Sequence, residues 1–113
     1  MDPINVYTQY FEGEAVFNDV PRHGVAVWLI ASSEGGVLRY EVALSFFPHN
    51  DEEDFAISYD AYLSKVIHET PGRRSKKKEA AVLESLREEA DLLASTIGGT
   101  IFWDSPLTEA RRS

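Results

Sequence analysis

The sequence predicts an α+β domain, a mainly antiparallel sheet of four to five strands with one short and one long helix packed on one face, in the order β-β-β-(β)-α-α-β. Three observations carry that prediction. Val25 to Ala31 is a continuous apolar run too short for an ordinary helix. Leu38 to Phe47 alternates strictly, with Leu38, Tyr40, Val42, Leu44 and Phe46 on one side and Arg39, Glu41, Ala43, Ser45 and Phe47 on the other. Lys76 to Ile97 places Val82, Leu83, Leu86, Ala90, Leu93 and Ile97 along one helical stripe.

The remaining elements follow in chain order. Ile4 to Phe17 is rich in Val, Tyr, Thr and Phe but interrupted at Gly13, which predicts a bulged strand or two short ones. Asn18 to Gly24 is a cluster of chain breakers, and the run from Val25 to Ala31 then reads as a central, well-buried strand. Ser32 to Gly36 ends in two glycines that can supply the positive φ of a hairpin turn. The mostly polar second side of the alternating strand predicts a sheet covered on one face only.

Pro48 to Asp54 is a polar, acidic break. Phe55 to Ile57 predicts a short strand, and the spacing of Tyr59, Tyr62, Leu63, Val66 and Ile67 predicts a helix to about Glu69, capped by Ser58 and stopped before Pro71 and Gly72. A longer strand running through Tyr62 is the competing reading. Ser75 caps the long helix and Gly98-Gly99 ends it. Thr100 to Trp103 is a last strand returning to the sheet, which makes residues 1–104 one domain and 105–113 a flexible tail.

Composition narrows the function classes. A chain of 113 residues has room for one core, and its 43% hydrophobic content suits a folded domain. Cysteine is absent, which excludes disulfides, thiolate metal sites and a cysteine nucleophile within these residues. No apolar run approaches the length of a membrane-spanning helix and no basic leader opens the sequence, so no membrane contact and a cytoplasmic location are expected. The net charge of −8 disfavours a general coating of nucleic acid.

The candidate sites are few. His23, His49 and His68 lack ligand spacing, and the acidic run Asp51 to Asp54 lacks a calcium-loop pattern, so no metal and no cofactor are expected. No nucleophile elbow, phosphate loop or dinucleotide fingerprint is present, and a non-enzymatic role is expected. The basic run supplies Arg73, Arg74, Lys76, Lys77 and Lys78 as candidates for an acidic partner or a polyanion. Three of these lysines fall in the first helical turn, where the dipole disfavours each cation by about 0.3 to 1 kcal/mol. The adjacent aromatic pairs Tyr10-Phe11, Phe46-Phe47 and Phe102-Trp103 must split between the two faces of an extended strand. From them Tyr10, Phe11, Phe47 and Trp103 are read as anchors of an exposed surface.

The expectation is therefore a small acidic interaction module that binds a protein partner, or a second copy of itself, in the manner of an inhibitor, immunity or adaptor protein. Binding of nucleic acid through residues 73–78 is the alternative.

Overall fold

The computed structural model describes residues 3–17, 19–47 and 62–107. Among them are β1 (Ile4–Phe17), β2 (Val20–Glu34), β3 (Val37–Phe47), β4 (Tyr62–Pro71), α1 (Lys76–Ser95) and β5 (Thr100–Leu107). The five strands form one antiparallel sheet in the order β4-β3-β2-β1-β5, and α1 packs on one face of it. The α+β class and the antiparallel sheet match the expectation. One helix, not two, is found among the described residues.

Local chemistry accounts for the turns. Phe17 pairs with Val20, so the first hairpin closes at once, and Asp19 takes the left-handed φ of 63° that a tight hairpin demands. The breakers from Val20 to Gly24 consequently lie within β2, which begins five residues before the run from Val25. Glu34 pairs with Val37, and Gly35 and Gly36 supply φ values of 60° and 80° between them. β1 is one strand whose register slips between Glu12 and Ala15, around Gly13. There a Cβ would come within 2.9 Å of the Thr100 carbonyl oxygen on β5.

Ser75 starts α1 by accepting a bond of 3.1 Å from the Lys78 amide, and the chain leaves the helix through Gly98 at φ 71°. The buried stripe is Val82, Leu86, Ala90, Leu93 and Ala94, whereas Leu83 faces outward. It packs on Val25, Val27, Leu29, Val42, Leu44 and Phe46 to make the main core. Each Val, Leu or Phe among them contributes about 1.5 to 3 kcal/mol on burial.

The predicted helix ending near Glu69 is corrected to strand for every residue described, Tyr62 to Glu69; Ser58 to Ala61 lie outside the described residues, as do the short strand at Phe55 to Ile57 and the acidic run with His49. The physical reason is that β4 is apolar on both sides. Tyr62 and Val66 face away from α1, while Leu63 and Ile67 pack toward it, with a register shift at Ile67. Adjacent apolar pairs four residues apart are also what a helix would present. At the other end β5 runs on to Leu107, past Ser105 where a tail was expected.

Candidate interaction surface

The alternation of β2 and β3 sends a second set of side chains to the sheet face opposite α1. Ala26, Phe47 and Leu107 form a small buried cluster there, flanked by half-buried Tyr10 and Trp28. Phe47 meets Tyr10 edge to face at 6.3 Å. Its ring also lies over Gly24, where a Cβ would fall 2.5 Å from it. The absence of a side chain at Gly24 is thus what lets Phe47 lie flat against the sheet.

Toward β4 this face opens. The register sets Trp28 and Ser64 on either side of Ala43, and Ile30 and Val66 on either side of Glu41. The Trp28 and Tyr62 rings are 6.1 Å apart. Trp28, Ile30, Tyr62 and Val66 therefore make one apolar strip, in which Tyr62 is 39% and Val66 41% exposed. Glu41 lies between Ile30 and Val66, and the Arg39–Glu69 ion pair at 3.0 Å borders the strip. An apolar centre with a charged rim is the composition of a protein-binding patch.

The four aromatics chosen as anchors divide between the faces. Tyr10 lies on the outer face, half-buried, and so does Phe47, but Phe47 is fully buried. Phe11 and Trp103 are on the helix side, which corrects the expectation that they are outward. Phe11 is a core residue, and Trp103 packs against it at 4.8 Å. The Trp103 indole Nε1 donates to Asp91 Oδ1 at 3.0 Å, and the Arg87 guanidinium sits 5.3 Å above the ring. Adjacent aromatics do split between faces, and it is Phe102, 39% exposed, that takes the outer position beside Trp103. The helical spacing of Tyr62 and Val66 conceals the strip on β4 in the sequence. The β-branched content of Val66, Ile67 and Thr70 was the signal for a strand.

The basic run is partly committed to the fold. Arg74 donates through Nε to Glu79 Oε2 at 2.6 Å and through a second nitrogen to Oε1 at 3.1 Å. The Tyr40 hydroxyl donates to the same carboxylate at 3.1 Å. Arg74 beside it, with Tyr40, holds the Glu79 carboxyl below the usual carboxylate range, against its partial burial. Burial first, and the bond to Glu79 second, push the Tyr40 hydroxyl up to about 12. Lys78 Nζ donates to the carbonyls of Pro71 at 3.1 Å and Arg73 at 2.7 Å. Arg73, Lys76 and Lys77 have exposed side chains without such ties among the described residues.

Among the described residues no three His, Asp or Glu side chains gather where a metal ion could be held. No described helix is long and apolar enough to cross a membrane. The chain matches no family model, no curated protein and no solved structure. Its function is accordingly read from its own residues.

Proposed function

We propose that this domain is a non-enzymatic interaction module that engages a protein partner, or a second copy of itself, through the strip of Trp28, Ile30, Tyr62 and Val66. The observation that carries the reading is the exposure of two large apolar side chains, Tyr62 and Val66, on the outer face of edge strand β4 to either side of Ser64, with Tyr62 beside Trp28. Exposed apolar area of this kind gains free energy when a partner removes it from water, and aromatic anchors contribute disproportionately. Edge strand β4 can add backbone hydrogen bonds to that contact.

Solution mass by light scattering over a range of protein concentrations, at low and high salt, separates the two occupants. A dimer that persists at high salt and dissociates in Val66→Glu supports self-association. A monomer that captures a protein partner, and loses it in Val66→Glu, supports a partner of another kind. A monomer whose partner binding is unchanged by Val66→Glu and Tyr62→Ser together overturns the strip as the binding surface.

The nucleic-acid reading rests on Arg73, Lys76 and Lys77, the three cations of the run without ties among the described residues. It requires binding that weakens steeply with salt and disappears when these three are neutralised. The commitment of Arg74 and Lys78 to intramolecular bonds leaves it the weaker of the two.

A further inference from the structure

We infer that the connector between β4 and α1 closes a preformed pocket for a small amphipathic carboxylate, an apolar body carrying one anionic head. The inference is independent of the β4 strip, because the pocket lies at the start of α1 on the helix side of the sheet. A cavity of about 420 Å³ is lined there by Ile4, Ser33, Leu38, Gly72, Arg73 and Arg74. Small-molecule sites occupy this size range and combine an apolar lining with a few placed polar groups.

The floor is apolar. Leu38 belongs to the main core, and Ile4 pairs with Ala31 at the end of β1. The wall is fixed from two directions, so the cavity does not depend on a ligand to stay open. Gly72, at φ 96°, donates its amide to the Gly36 carbonyl at 3.1 Å and ties the connector to the hairpin between β2 and β3. From the helix side Lys78 clamps the Pro71 and Arg73 carbonyls, and Arg74 is locked on Glu79.

The rim is cationic. Arg73 and Arg74 both line the cavity, and Arg74 is paired with Glu79, a carboxylate that Tyr40 also bonds. The Arg73 side chain has no bonded partner among the described residues and is exposed at the cavity mouth. It is the group left to meet an anionic head while Ile4 and Leu38 take the apolar body. A simple anion would find an exposed arginine in water, where pairing is weak. A neutral apolar molecule would gain only the contact with Ile4 and Leu38 and nothing from the arginine, which stays hydrated. The two halves of the site together select the amphipathic anion.

The test is an NMR titration of the wild-type chain with octanoate below its micellar concentration, beside acetate and 1-octanol, following the amides of Ser33, Leu38, Gly72 and Arg73. Octanoate is expected to give saturable one-site shifts at these amides, and acetate and octanol none. Arg73→Gln is expected to weaken octanoate by about two- to fivefold, the factor one solvent-exposed ion pair contributes. Ile4→Trp, which fills the cavity, is expected to abolish the shifts in a chain that still melts cooperatively. Should Ile4→Trp fail to fold, Arg73→Gln at its exposed position still decides. Absence of saturable shifts, acetate as effective as octanoate, or unchanged affinity in Arg73→Gln would each overturn the inference.

Discussion

Gly24 and Phe47 show how one missing side chain shapes a face of the sheet. The Phe47 ring lies where a Gly24 Cβ would project, and because Phe47 is fully buried it has nowhere to swing. Gly24→Ala is therefore expected to cost about 1 to 3 kcal/mol by overpacking, measured by urea unfolding. Tyr40 and Glu79 give the pH response at the same scale. An unfolded chain releases a tyrosine proton near pH 10, whereas Tyr40 in the folded chain keeps it to about 12. The unfolded state then binds fewer protons, so stability that is complete below pH 10 declines as pH climbs through 12. Glu79 has the opposite sign. Its folded carboxyl titrates below the ordinary value of 4.5, so its contribution is complete above that value and is lost as pH falls through the lowered one. Melting curves across pH should show Tyr40→Phe flattening the alkaline decline and Glu79→Gln flattening part of the acid one. Adjacency alone shows that each aromatic pair splits between the faces, but neither which member is outward, since Phe11 and Trp103 lie on the helix side, nor which outward ones are exposed. Exposure at Phe47 is set by Gly24, Tyr10 and Leu107, which come from other strands.

At the scale of elements, β3 and α1 were readable because each is apolar on one side. The alternation from Leu38 to Phe47 and the stripe from Val82 to Leu93 each admit one period, and the structure has the strand and the helix there. β4 has side chains in contact on both faces, and its paired apolar residues fit either period until the sheet is known. The helix start breaks a local rule for a structural reason in part. Lys78 opposes the dipole but holds two connector carbonyls, whereas the exposed Lys77 has no such tie. Lys77→Glu is expected to raise stability by about 0.3 to 1 kcal/mol, and Ser75→Ala to lower it by about 1 kcal/mol, both read by chemical denaturation. Leu86→Ala, under the centre of the helix, should cost about 2 to 5 kcal/mol.

Across the whole molecule, the strand order makes α1 a crossing element. It leaves β4 at one edge of the sheet and delivers β5 to the other, beside β1. A helix of 20 residues is about 30 Å long, enough to pass diagonally over strands spaced about 4.8 Å apart. β2 is the middle strand, and its residues Val25, Ala26, Val27 and Leu29 are fully buried. Native-state hydrogen exchange should accordingly show the slowest amides at Val25 to Leu29 and faster exchange along β4 and β5, where local opening disrupts one pairing instead of two. Equal protection across all five strands would show that the edges are held by more than the described contacts.

That crossing also sets the timing of the chain's birth on the ribosome. β1 emerges first but acquires its second neighbour last, because Gly13 must wait for Ile101. A nascent chain holding β1 to β4 already has its meander of hairpins, yet one side of β1 still presents bare amides and carbonyls. Two carboxylates, Glu12 and Glu14, stand on that waiting strand, each opposite a β5 residue in the finished sheet. Charge along an open strand discourages pairing with another unfinished copy, and Glu12 and Glu14 put that charge on the edge of β1 that β5 later covers.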